Sequence, residues 1–300
     1  MILQRSGFAD RAAEFARRCQ IAARSTARYA GLLAAHQCGF DLWEFACERA
    51  RGQSADHFYA DLGLYYTRLR CLGVLSDSDD LLRAFEAASR NASPGFRRPV
   101  TGEARDDNEA DALPTLWVSG FDPYRLEGSD PTSLWHANPS GAAALALHGR
   151  VLPGRPSRRI RAGVWPVRFA DCDAGVIEQW LERGPGALAW SNQPAAPLLF
   201  TISMGGNPNA FHIDRYLANW RGAVPDNAGR PGGPAVILGD APAFLEHTLS
   251  PEILREWQGS SDRFAVRDHC EVDTAEAGRF ACEALAQISA QRPRRGGGGD

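Results

Sequence analysis

The chain changes texture once, and that change limits what it can fold into. Residues 92–112, "ASPGFRRPVTGEARDDNEADA", are polar and rich in Pro, Gly and acidic side chains. Such a composition reads as a linker or an exposed loop. The stretches on either side follow different periodicities, so they present two separate folding problems.

Before the linker, residues 1–91 read as an all-helical region. "DRAAEFARRCQIAARSTARYAGLLAAH" sets Ala13, Phe15 and Ala16 against Arg-rich positions at helical spacing. "DLWEFACERA" and "DHFYADLGLYYTRLRCLGVL" continue the pattern, and "SDSDDLLRAFEAASR" opens with residues suited to an N-cap. The cysteines and aromatics of this half read as core or as an interdomain face. Its pattern carries no chemistry of its own.

After the linker, short apolar runs alternate with helical patterns. "LPTLWVSGFDPY" reads as a first strand and "NPSGAAALALHG" as a helix with Asn138 or Ser140 near its start. "RIRAGVWPVRF" is a strand, "DAGVIEQWLERG" a helix and "PLLFTISMGG" a strand. "DRFAVRDHCEV" is a late strand and "GRFACEALAQIS" a last helix. This alternation predicts an α/β domain over 113–290 with a largely parallel sheet. In such sheets ligands bind beyond the carboxyl ends of the strands, which directs attention to the turns after Val118, Met204 and Val272. Residues 291–300, ending in "RRGGGGD", are expected to be disordered.

Three hundred residues suit one large or two modest domains, and 44% hydrophobic content suits a packed core. A net charge of −3 points to neither nucleic acid nor an anionic membrane as partner. The chain has no Lys, which excludes a Schiff-base mechanism and a P-loop. Seven Cys occur without a CxxC or a close Cys/His cluster. This argues against a zinc site or a disulfide framework and for a reducing compartment. The first residues lack a secretory apolar core, and no run approaches the length of a membrane span. A cytoplasmic protein is expected.

Three places could carry chemistry. Cys282 sits at the start of a short helical pattern, where a helix N-terminus favours a thiolate; a small buried hydrophobe is the structural alternative. Asp214, in "NAFHIDRYLAN", could orient an imidazole, or be an ordinary cap or surface carboxylate. His212 lies two residues before it. Phe121 and Tyr124, in "SGFDPY", could sandwich a flat ligand or simply pack at a strand end. His136 and His247 read as surface or core histidines, and "VPDNAG" reads as a turn.

Taken in order, these pieces resemble the pyroglutamyl-peptidase I (pyrrolidone-carboxylate peptidase) family of cysteine peptidases. Gly120, Phe121, Asp122, Pro123 and Tyr124 match the "GF-[DE]-P-[FY]" that follows the family's first strand. Asn138, Pro139 and Ser140 match its "NPS", and Pro166, Val167 and Phe169 its "P-V-x-F" strand end. Asp214, Arg215, Ala218 and Asn219 stand where the family has "E-R-x-A-x-N", followed by Pro225, Asp226, Asn227 and Gly229 for "P-D-N-x-G". Ala277, Gly278, Phe280 and Cys282 match the cysteine signature. The resemblance covers about residues 113–290. It implies a three-layer α/β/α sandwich and removal of an N-terminal pyroglutamyl residue from peptides. It further implies Cys282 as nucleophile, Asp214 in place of the family's Glu, and Phe121, Tyr124 and Asn138 on the substrate side. No metal or organic cofactor is implied.

The sequence departs from the pattern in four places. Asp214 is one methylene shorter than Glu. Ser203 and Met204 replace a Gly and a polar substrate-binding residue, and Glu283 follows the cysteine where a small polar residue is usual. The family's histidine strand, which follows the cysteine, has no counterpart. His269 or His212 could substitute as base. A degenerate member, a shifted reading frame and a fragment all remain open, and impaired activity is the expectation. A non-catalytic peptide-binding or protein-interaction member is the alternative. A sheet short of one strand would expose an unpaired edge and favour a homo-oligomer.

Overall fold

The structure is a computed structural model of the 300-residue chain. It describes residues 1–52, 59–91, 113–124, 126, 134–183, 198–204, 211–222, 224–233, 236–237, 239, 241–246, 250–260 and 264–267. The expected linker 92–112, the glycine turn at 205–206, the last helix and the tail lie outside these residues. The described residues fall into two compact units. One is drawn from Met1–Pro166 with Glu182–Ile202, the other from Val167–Leu181 with Ser203–Asp300.

The first unit begins with five helices: α1 (Ile2–Arg5), α2 (Ala9–Ala23), α3 (Arg28–Arg51), α4 (Ala60–Leu75) and α5 (Asp79–Ser89). The longest, α3, buries Gly31, Ala35, Cys38, Gly39, Leu42, Trp43, Ala46, Cys47 and Ala50. Their spacing of three and four residues makes one stripe along the helix. Gly39 lies where a methyl group would run into the carbonyl oxygen of Phe85, so α3 and α5 approach closely. Ser78 holds the N-cap position of α5 without a side-chain bond to the helix; Asp79 and Asp80 place negative charge at its first turn instead.

A four-stranded sheet follows in the same unit, in the order β2 (Val151–Leu152), β3 (Arg158–Trp165), β1 (Thr115–Phe121), β4 (Leu198–Thr201). β1 runs parallel to both β3 and β4, and among the described residues only the short β2 is antiparallel in this sheet. The central β1 is buried from Trp117 to Phe121, as the middle strand of a covered parallel sheet must be. Helix α6 (Pro139–Leu147) follows β1. The hydrophobic core is continuous from helices to sheet: Phe15, Leu42, Trp43 and Phe85 share one cluster with Val118, Leu145, Ile160 and Val164. Each fully buried large apolar side chain in it stabilises by about 1.5–3 kcal/mol. The expected α/β class, a mostly parallel sheet preceded by helices, is what the chain forms.

The second unit holds α7 (Phe169–Asp173), most of α8 (Val176–Arg183), β5 (Phe211–Asp214), β6 (Tyr216–Ala218), β7 (Phe244–Glu246), α9 (Pro251–Ser260) and β8 (Phe264–Arg267). β5 pairs in parallel with β8, and β6 pairs antiparallel with β7. The late strand β8 was read from sequence, but its partner β5 was not. The four residues of β5 are too few to show alternation, whereas β8 carries three consecutive apolar residues, Phe264, Ala265 and Val266. Among the described residues, no helix is long and apolar enough to cross a membrane.

Gly120 is the tightest point of the β1–α6 packing, because a methyl group there would strike the carbonyl oxygen of Ser140. Gly120→Ala is therefore expected to lower unfolding free energy by about 1–3 kcal/mol, read from urea denaturation.

Candidate active site

The carboxyl end of β1 and the start of α6 are bound to each other. Phe121 donates its backbone N–H to Ser140 Oγ at 3.1 Å. The Asn138 side chain caps α6: its Oδ1 accepts from the Ser140 N–H at 3.1 Å and from Ser140 Oγ at 2.7 Å. Its Nδ2 donates to the carbonyl oxygen of Asp122 at 2.9 Å. Gly141 completes the junction, since a Cβ there would lie 2.5 Å from the Phe121 carbonyl oxygen. The residues that carry "GFDPY" and "NPSG" thus form one corner.

The helices reach this corner through charge. Asp122, 2% exposed, accepts from Arg68 Nη1 at 2.8 Å and from Arg90 Nη1 at 2.7 Å. Arg68, in α4, also donates to the hydroxyl and carbonyl of Ser89. Arg90, just past α5, donates to Glu86 and to the Val164 carbonyl oxygen. Asn91 donates to the Ala162 carbonyl oxygen at 2.7 Å, so the end of α5 is fastened to β3. Burial opposes the charge on Asp122, but the Arg68 and Arg90 charges and hydrogen bonds outweigh it, and its pKa falls below the ordinary carboxylate value.

A second carboxylate approaches from α4. Asp61, 3% exposed, accepts the Asn138 backbone N–H on Oδ2 at 2.6 Å, while its Oδ1 is buried without a hydrogen-bond partner. Burial pushes its pKa up to about 7, offset in part by the backbone N–H groups of Asn138 and Leu62 and reinforced by the Asp122 charge.

The predicted site residues fall into three groups. Phe121, Tyr124 and Asn138 belong to the first unit. Phe121 is buried with its ring 5.4 Å from that of Trp165, edge to face, and Tyr124 is half-buried. His212 and Asp214 belong to the second unit and share one face of β5, being two residues apart. Both are half-buried, and His212 Nδ1 is buried without a hydrogen-bond partner. In register, Asp214 sits opposite Arg267 at the carboxyl ends of β5 and β8. Cys282 and His269 lie outside the described residues.

The other motif residues of this unit hold it together. Arg215 pairs with Glu246 across β6 and β7 at 2.9 Å. Asn219 accepts the Ile237 N–H and donates to the Ala241 carbonyl oxygen. Asp226, fully buried, accepts the N–H groups of Phe169, Ala228 and Arg230 and organises the "PDNAG" turn. Arg221 pairs with Asp173 and stacks 4.9 Å over the Phe169 ring. No cluster of three or more His, Cys, Asp or Glu able to hold a metal occurs among the described residues.

Sequence reading missed Asp61, Arg68 and Arg90. A signal was present. Asp61, Leu64, Arg68, Cys71 and Leu75 recur every three or four residues and are all buried on α4. Two charges on an apolar helical stripe require buried partners.

The fold is that of an α/β protein with a helical N-terminal region. Comparison with known proteins narrows this. The family described as PA0049, N-terminal domain, matches residues 1–89, and that described as PA0049, C-terminal domain, matches residues 115–261. An uncharacterised protein PA0049 of Pseudomonas aeruginosa is 30% identical over 210 residues, covering 64% of this chain and 36% of that one. A pyrrolidone-carboxylate peptidase of Deinococcus radiodurans is 29% identical over 147 residues, covering 49% of this chain and 58% of that one. The chain therefore spans less than two thirds of each of these curated relatives. Among solved structures, the pyroglutamyl peptidase I of Bacillus amyloliquefaciens aligns with 20% identity and a TM-score of 0.45, over 60% of this chain and 77% of that one. A mutant pyrrolidone carboxyl peptidase of Pyrococcus furiosus aligns with 18% identity and a TM-score of 0.45, over 60% and 76%. Over part of its length, this chain is similar to the pyrrolidone-carboxylate peptidases, as its motifs led one to expect.

Two outcomes follow from the buried charges. Arg90→Ala leaves Asp122 with one cation and should cost about 3–5 kcal/mol in chemical denaturation, the usual penalty for breaking a buried pair. Asp61 has the opposite sign. Its folded pKa lies above the unfolded value of 3.8, so ionisation costs stability as pH rises from about 4 to about 7. Asp61→Asn keeps an acceptor for Asn138 and should gain on the wild type across that window, then hold a constant lead above it. Unfolding free energies of both proteins at several pH values check this.

Proposed function

We propose that this chain is a pyroglutamyl-peptidase-like cysteine hydrolase whose substrate is a peptide with an N-terminal pyroglutamyl residue. The observation that carries the reading is the 29% identity over 147 residues to a pyrrolidone-carboxylate peptidase. The order of the motifs from Gly120 to Cys282 supports it.

In this reading, Cys282 Sγ attacks the carbonyl carbon of the pyroglutamyl amide. The amine leaves with a proton, and water then hydrolyses the thioester. The thiol proton needs an acceptor that can return it to the amine. His212 is the first candidate: it shares a face of β5 with Asp214, and its Nδ1 has no hydrogen-bond partner. Asp214 would hold the imidazole in place and stabilise its protonated form. His269 is the second candidate. On the substrate side, Tyr124 would offer a wall to the flat, uncharged lactam, and Phe121 and Asn138 would set the shape of the corner that carries it. The reaction so written calls for no metal or organic cofactor.

Hydrolysis of pyroglutamyl-aminomethylcoumarin by the purified chain tests this. Turnover should vanish in Cys282→Ala and fall about 10²–10⁴-fold in His212→Ala, with His269→Ala within about tenfold of wild type if His212 is the base. A reversed order would make His269 the base. Binding of a pyroglutamyl peptide without turnover would make the chain a non-catalytic member, and neither binding nor turnover would overturn the reading.

A further inference from the structure

The helical segment contributes three buried charged residues to the carboxyl end of the first sheet. Arg68 and Arg90 take opposite oxygens of Asp122, which follows Phe121 directly. Asp61 takes the backbone N–H of Asn138, the residue that caps α6 and ties it to Asp122. A buried charge that served packing alone would be replaceable by an apolar side chain of the same volume, often without loss. Asp61 is not arranged as an ion pair. Among the described residues it has no cationic partner in hydrogen-bond contact, its Oδ1 is unpartnered, and the short bond of its Oδ2 runs to the cap of α6. The Asn138 side chain caps α6 by accepting from Ser140, and Asp61 takes the donor that this cap leaves over, the buried N–H of Asn138 itself. What Asp61 does fix is the height of Asn138 relative to α4, and through Asn138 Nδ2 the path of the chain from Asp122 toward Tyr124.

We propose that Asp61 is a positioning residue, through which the N-terminal helical segment sets the geometry of the β1–α6 corner for ligand recognition. Its use for recognition rests on the reading under "Proposed function", in which Tyr124 of this corner faces the substrate. The helical segment is then part of the binding end of the first unit rather than an appendage. Arg68 and Arg90 anchor the same corner from Asp122, so α4 and α5 act on it from two sides.

Hydrogen–deuterium exchange of the full chain, compared among wild type, Asp61→Ala and Asp61→Asn, tests the positioning directly. Asp61→Ala should speed exchange at residues 137–141 by about tenfold or more and leave α3 protected. Asp61→Asn, which keeps an acceptor oxygen, should restore most of the protection. If Asp61→Ala does not fold, Asp61→Ser, whose oxygen falls one bond short, takes its place with the same expected result. In parallel, Asp61→Ala should raise KM for pyroglutamyl-aminomethylcoumarin about tenfold with kcat within about twofold, the pattern of a lost binding geometry. Unchanged exchange at 137–141 in a folded Asp61→Ala protein overturns the proposal, and so does equal acceleration there and in α3. If wild type neither binds nor turns over the substrate, the peptidase reading fails, and the exchange result alone decides whether Asp61 positions the corner.

Discussion

Asp122 is the residue on which the first unit turns. It sits one position past the central strand, is almost wholly excluded from solvent, and is held by two arginines from two different helices. Taking these ions out of water carries a penalty of several kcal/mol each, and the arrangement stands only because each guanidinium finds further acceptors. Ser89 and Glu86 supply them along with the Val164 carbonyl oxygen. Remove one arginine and the remaining charges lose their balance. The apolar core then completes what the ions orient, since Trp43 and Phe85 pack in the same cluster as Val118 and Ile160. The helical segment is thereby part of the sheet's own architecture.

Much of this was legible in the sequence, and the limits have physical causes. The long helices and the strands β1 and β3 announce themselves because each spans enough residues for its period to show, and the four-residue β4 does so because it lies in the apolar run "PLLFTI". The cap of α6 was legible too, since "NPS" places a side-chain acceptor and a proline where a helix begins. The strands β5 to β7 were not, being three or four residues each. The charged cluster escaped because its members lie far apart in sequence: Arg68, Arg90 and Asp122 meet only after folding. Reading "GFDPY" for its aromatic rings drew attention from the aspartate between them. Phe121 is a core ring packed on Trp165, and Asp122 bears the architecture.

The second unit shows the same division of labour. Its motif residues Asn219, Asp226 and Arg215 spend their polar atoms on the chain itself, stitching turns and a two-stranded ribbon. Asp214 and His212 stand on one face of β5, and Asp214 lies at the carboxyl end of its parallel pairing with β8. The match of residues 1–89 to a PA0049 domain adds that a helical N-terminal region of this kind recurs in another protein.

The central claim is that helices α2–α5 and the sheet strands β1 and β3 form one cooperative body, joined through Asp122. Native-state hydrogen exchange over a series of low denaturant concentrations tests it most directly. The amides of α3 at Leu42–Ala46 and those of β1 and β3 at Val118–Gly120 and Ala162–Val164 should converge on one opening free energy with one denaturant dependence. Exchange of the strand amides through a separate, less costly opening, with α3 still protected, would contradict the account.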